Sequence, residues 1–276
     1  MIPKLFLFRV KNKITGSLFP NRLAQKTATL FLTPRRFPIK DWEREAEARC
    51  ERIFFGPGLS AARWWGQSDK KILIMHGWES RATQMYRLVD GLVEHGFDVI
   101  AIDAPGHGHS PGNRANPVVF SQAILEADKK WGPFYGAIGH SMGAAALAIA
   151  LASGARLGRL VLISSPNNLY DVLMSFARFV GLPKKVAGLF VSQVENEVGL
   201  PARNLDVGTI FSQKNPQALI IHAKNDREVS YKNHEAIMAA CPGLQSHSPE
   251  SLGHRRIIQS PQIAQLIRCF YGVISQ

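Results

Sequence analysis

Three short apolar runs, at residues 71–75, 98–102 and 134–138, each lead into a segment of helical periodicity, and this alternation most restricts the fold. A run of five β-rich residues without polar alternation suits a strand buried on both faces of a parallel sheet. After the first run, Met85, Leu88, Val89, Leu92 and Val93 fall at i, i+3, i+4, i+7 and i+8, one face of a helix. The second run leads through Asp103-Ala-Pro-Gly-His-Gly-His-Ser110 into a predicted helix at 117–130. The third leads into residues 142–152, where alanine dominates; alanine favours helix and leaves little side chain between helix and sheet. Buried strands joined by helices predict βαβ units with helices on both sheet faces.

The flanks extend the pattern. Apolar runs at 52–55 and 61–65 enclose Gly56-Pro57-Gly58 and predict an opening antiparallel hairpin. A further strand is predicted at 159–163. From about 165 to 215 the alternation stops, with helical pieces at 170–180 and 186–194, and this stretch is read as a helical cap insertion. Strand 217–222, helix 231–240 and a short strand at 245–248 follow. A last helix carries Ile263, Leu266, Ile267 and Phe270 at i, i+3, i+4 and i+7. The expected organisation is a basic, helical arm at 1–50 and one α/β domain at 51–276 with the insertion at about 165–215.

Charge is unevenly placed along the 276 residues. Of the net +12, nine positive charges (Lys4, Arg9, Lys11, Lys13, Arg22, Lys26, Arg35, Arg36 and Lys40) precede the first acidic residue, Asp41. The same segment carries Leu5, Phe6, Leu7, Phe8, Leu18, Phe19, Leu30 and Phe31. It suits either a helical arm docked on the domain with a solvated basic face or a peripheral membrane contact. No nucleic-acid motif accompanies the charge, so no nucleic-acid partner is expected. With 46% hydrophobic and 20% charged residues, disorder is excluded. Cys50, Cys241 and Cys269 have no paired spacing, and basic residues interrupt the apolar patch near the start before it reaches the length of a signal or membrane segment. A cytoplasmic location is the expectation.

The sharpest chemical signal is Gly139-His140-Ser141-Met142-Gly143, set between an apolar strand and the alanine-rich helix. A serine on so tight a strand-to-helix turn has a strained backbone, and glycines two residues to either side remove colliding side chains. The helix start offers backbone N–H groups to a developing oxyanion. A serine hydroxyl needs a base held in one tautomer by a carboxylate. Asp226, just past strand 217–222, and His254, in Ser251-Leu-Gly-His254, supply both at loop positions beyond strand ends. Glu228 and Asp171 are rivals for the acid.

These features together resemble the α/β-hydrolase superfamily, from about Arg52 onward: the His76-Gly77-Trp78 turn, the Asp103–Ser110 loop, the elbow at Ser141, then Asp226 and His254, in family order. The resemblance implies a mostly parallel eight-stranded sheet and a triad of Ser141, Asp226 and His254. It also implies an oxyanion hole from the N–H groups of Trp78 and Met142, with His76, Gly77 and His140 at the substrate pocket. Ester or thioester hydrolysis through an acyl-enzyme would need no cofactor or metal; the histidines at 76, 107, 109 and 140 lack zinc-motif spacing. Acyl transfer, or a ligand receptor that keeps the fold, are the alternatives. Serine at 141 disfavours the aspartate-dependent dehalogenases and epoxide hydrolases. Ala144 and Ser230 stand where the family often has glycine and proline.

Overall fold

A computed structural model of the chain describes residues 4–273. The order opens with helices α1 (Lys4–Leu18), α2 (Pro20–Leu32) and α3 (Asp41–Ala48) and the hairpin β1 (Glu51–Phe55) and β2 (Leu59–Trp64). Next come β3 (Lys71–Met75), α4 (Tyr86–Val93), β4 (Asp98–Asp103), α5 (Pro117–Trp131), β5 (Phe134–His140), α6 (Met142–Ala152) and β6 (Leu157–Ile163). Helices α7 (Leu169–Val180), α8 (Lys184–Val198) and α9 (Val207–Lys214) precede β7 (Ala218–Ile221), α10 (Lys232–Ala240), β8 (Gln245–His247), α11 (Gly253–Arg256) and α12 (Pro261–Phe270). Two compact units result. The smaller joins the residues up to Pro34 to Asn168–Asp206, and the larger comprises Arg35–Asn167 and the residues from Val207 onward.

The larger unit is an α/β fold around one eight-stranded sheet of order β1-β2-β4-β3-β5-β6-β7-β8. Only the β1/β2 and β2/β4 pairs are antiparallel. The predicted strands are therefore present, and the expected opening hairpin forms the antiparallel edge. Ile72, Leu73, Ile74, Ile100, Ile138 and Val161 are fully buried, which explains why their strands show no polar alternation. The chain passes from β3 to β4 on one side and then crosses to β5 on the other. The resulting switch point lies between β3 and β5, the place where open sheets of this kind leave a crevice at the strand ends.

Two elements differ from the sequence reading. The helix expected across 80–96 starts as a 3₁₀ turn, Ala82–Met85, before α4. The excursion read as 165–215 spans Asn168–Asp206, because Asn167 closes it: the Val207 N–H donates to the Asn167 carbonyl at 2.8 Å and the Gly208 N–H to its Oδ1 at 2.9 Å. Residues 207–214 are then free to form α9, which buries Val207 and Phe211.

In the smaller unit, α2 contributes Leu23, Ala24, Ala28 and Leu32 to a core shared with Leu173 and Ala177 of α7 and Val186, Phe190, Val191 and Val194 of α8. Phe31 packs its ring 5.0 Å from Phe176 and 5.8 Å from Phe190. Helix α2 and the inserted pair thus make a single small core from segments more than a hundred residues apart in sequence.

Candidate active site

Ser141 occupies the turn between β5 and α6 with φ 54° and ψ −120°. The glycine spacing around it has a direct steric cause. A Cβ on Gly139 would stand 2.6 Å from the Ala144 Cα, and one on Gly143 would stand 2.3 Å from the His76 carbonyl oxygen and 2.4 Å from that of Met75. These neighbours are backbone and cannot move aside. Gly77 approaches from β3, where an added Cβ would come 3.1 Å from the Ser141 Cβ. The Ser141 N–H is committed to the Ile163 carbonyl at 2.8 Å. Met142 is the first residue of α6, so its N–H is one of the donors a helix start leaves without an intrahelical acceptor.

The hydroxyl of Ser141 donates to His254 Nε2 at 2.9 Å, and His254 Nδ1–H donates to Asp226 Oδ2 at 2.7 Å. Asp226 Oδ1 accepts the N–H groups of Glu228 and Val229, both at 2.9 Å. Burial alone would push the Asp226 carboxyl up, but the hydrogen bonds and charge it receives from His254, with those two amides, hold it below the usual carboxylate range. Of the rival acids, Glu228 binds Arg255 at 2.8 and 3.1 Å, and Asp171 lies on α7 in the smaller unit. A hollow of about 340 Å³ opens beside the imidazole, lined by Asn225, Arg227, Glu228, Gly253, His254 and Arg256. A second of about 350 Å³, bordered by residues of α9, β7 and β8, includes none of these three side chains.

His76 and His140, expected at the substrate pocket, are buried at 0% and 4% exposure and present no surface to a ligand. Their hydrogen bonds show what they do instead. His76 Nδ1–H donates to the Gly77 carbonyl at 2.6 Å while Nε2 accepts the Ala104 N–H at 3.1 Å. His140 Nε2–H donates to the His254 carbonyl at 2.9 Å, tying the base loop to the elbow. Burial lowers the pKa of His76 to about 4 and that of His140 to about 3, so both are neutral, as the bond accepted by His76 Nε2 requires of that ring. Of the three pocket residues, only Gly77 comes directly over the elbow.

Three contributors escaped the sequence reading. His222, at the end of β7, donates Nε2–H to the Val229 carbonyl at 2.9 Å and lies 3.5 Å from Asp226 Oδ2, so it braces the acid loop. Its i, i+4 spacing from Asp226 across a turn was the available signal. Glu79, next to Trp78, has φ 54° and is gripped by Arg35, whose Nε and Nη2 reach its two oxygens at 2.9 and 2.8 Å. The Glu79 N–H donates to His107 Nε2 at 3.0 Å, and the His107 ring stands edge-on to the Trp78 indole, centroids 5.4 Å apart. The turn carrying Trp78 is therefore held from both sides.

The Hydrolase_4 family, described as serine aminopeptidase, S33, matches residues 66–208, just over half of the chain. A serine hydrolase-like protein of Dictyostelium discoideum is 35% identical over 109 residues, covering 37% of this chain and 30% of its own length. A probable serine hydrolase of Drosophila melanogaster is 37% identical over 54 residues, covering 19% and 16%. The chain thus matches less than a third of either relative's length. Among solved structures, an esterase of Pyrococcus furiosus aligns with TM-score 0.64 and 20% identity over 87% of this chain and 98% of its own. The thioesterase domain from the curacin biosynthetic pathway aligns with TM-score 0.62 and 14% identity over 80% and 99%. At such identities these structures speak to fold alone. With the elbow, the strand order and the family match in agreement, the chain belongs to the Hydrolase_4 family and has the α/β-hydrolase fold.

Proposed function

We propose that this protein is a serine hydrolase that cleaves carboxylic esters or thioesters through an acyl-enzyme on Ser141. The observation that carries the reading is the unbroken chain of bonds from the Ser141 hydroxyl through His254 to Asp226, set on a backbone turn that only a few residues tolerate. Ser141 Oγ attacks the carbonyl carbon as His254 Nε2 takes its proton. The N–H groups of Met142 and Trp78 receive the oxyanion, with the start of α6 adding its dipole. The imidazolium then protonates the departing alkoxide or thiolate, and an ester bond to Ser141 remains. Water, deprotonated by the same imidazole, attacks that ester, and the imidazolium returns the proton to the departing Ser141 oxygen as the acid is released. Asp226 stays ionised throughout, fixing the tautomer and stabilising the imidazolium.

The experiment is labelling with a fluorophosphonate, followed by a panel of p-nitrophenyl esters of increasing chain length, an acyl thioester and an aminoacyl p-nitroanilide. Wild type labels and Ser141→Ala does not; ester or thioester turnover exceeds anilide turnover. A folded wild type that fails to label removes the acyl-enzyme. Labelling with turnover confined to the anilide makes the protein a peptidase instead.

A further inference from the structure

We infer that the outer face of α1 is a docking surface for an anionic lipid bilayer. This goes beyond the proposed reaction and does not depend on it. In a water-facing helix, apolar residues turn inward and polar residues outward. In α1 the arrangement is reversed. Only Asn12 and Gly16 are buried, and with Arg9 they form the inward stripe at i, i+3 and i+7. Asn12 Nδ2 donates to the Val180 carbonyl at 2.7 Å and Arg9 Nε to that of Phe179 at 2.9 Å, so this polar stripe completes the open C-terminal end of α7. Gly16 lets Pro183 and Val186 approach, since a Cβ there would stand 3.0 and 3.1 Å from their side chains.

With those contacts made, the apolar residues are left outside. Leu7, Val10, Ile14 and Leu18 follow at i, i+3, i+7 and i+11 on the opposite face, with Leu7, Ile14 and Leu18 exposed at 54%, 59% and 66%. Phe6 and Phe8 on α1, Phe19 beyond its end, Leu30 and Phe179 are exposed as well, all within the smaller unit. Isolated exposed apolar residues need no explanation, but a continuous helical stripe does.

Charge selects the occupant. Lys4, Lys11 and Lys13 flank the stripe, no acidic residue occurs before Asp41, and none of these lysines has an ion-pair partner among the described residues. A second copy seated on this face would bring lysines against lysines with no carboxylate from the same helix to relieve them. An anionic leaflet takes the apolar stripe into its acyl boundary while the lysine stems snorkel to the headgroups, which combines the two weak anchors that stable peripheral binding needs. Among the described residues no helix is long and apolar enough to cross a membrane, so the contact is in the surface plane.

Co-sedimentation of the full chain with vesicles tests this, using phosphatidylcholine alone and phosphatidylcholine with about one part in three phosphatidylglycerol. The expected result is binding to the anionic vesicles only, weakened by raised salt. Lys4→Gln/Lys11→Gln/Lys13→Gln should lower affinity on the order of a hundredfold, and Leu7→Ser/Ile14→Ser/Leu18→Ser should abolish binding. Both sets lie on exposed positions, and unchanged far-UV circular dichroism and melting confirm their fold. Ser141→Ala should bind as wild type does, which separates this inference from the catalytic one. Absence of binding to anionic vesicles, binding equal in wild type and both variants, or a lipid-independent dimer that the serine variant dissolves would overturn it.

Discussion

An L-residue at φ 54° and ψ −120°, as Ser141 has, persists only where its surroundings leave no alternative. Here the surroundings are backbone: Gly139 lies against Ala144, and Gly143 against the carbonyls of Met75 and His76. Gly143→Ala should therefore cost about 1–3 kcal/mol from overpacking, read as a lower urea midpoint, and fluorophosphonate labelling should fall with it. Asp226→Asn makes a sharper test of the acid. The amide keeps the shape but no longer specifies the His254 tautomer, so kcat should fall by about four orders of magnitude with the melting temperature nearly unchanged. The five-residue elbow was legible in the sequence because glycine is required there for steric reasons. The resemblance puts His76 and His140 at the pocket, but a family likeness does not tell which way a ring turns; burial takes both inward, as props for the loops.

Helix starts show how much an element owes to local sequence. Asn116 precedes Pro117, and in the structure its Oδ1 accepts the N–H groups of Val118 and Val119 at 2.9 and 3.0 Å, capping α5. Asn116→Ala should lower stability by about 1 kcal/mol, seen in chemical denaturation, with ester turnover per folded molecule unchanged. The central strands β3, β4, β5 and β7 were legible to within a residue or two because near-complete burial leaves them largely apolar. Helix α9 was not. Its apolar residues, Val207, Ile210 and Phe211, cover little more than one turn, too short a run to stand out, and its start is set by Asn167 from forty residues upstream. Helix α1 was predicted helical, but its inward face could not be read, since the residues it buries are Asn12 and Gly16 rather than its leucines and phenylalanines.

Across the whole molecule, the buried imidazoles tie stability to acidity. His76, His107 and His140 are held neutral, with pKa lowered by burial from 6.5 to about 4, 3 and 3. Between 6.5 and those values the unfolded chain binds protons that the folded chain refuses, so stability is full above about pH 6.5 and falls as the pH drops. Each contributes a slope of about 1.4 kcal/mol per pH unit, and Asp226, held below the usual carboxylate range, adds loss in the same direction at still lower pH. The urea midpoint should decline steadily from pH 6.5 to 4; a flat profile would mean that all three rings take up protons in the fold as readily as in the unfolded chain. The amino-acid sequence by itself determined the alternation of strands and helices, the elbow and the order of serine, acid and base, because burial periodicity and glycine sterics act over a few residues. Only the tertiary structure decided that α2 shares a core with α7 and α8, that α1 turns Asn12 rather than its leucines toward α7, and that Arg35 grips Glu79 beside Trp78. Those contacts join segments whose separation along the chain carries no local signature, and they exist only once packing has chosen which faces meet.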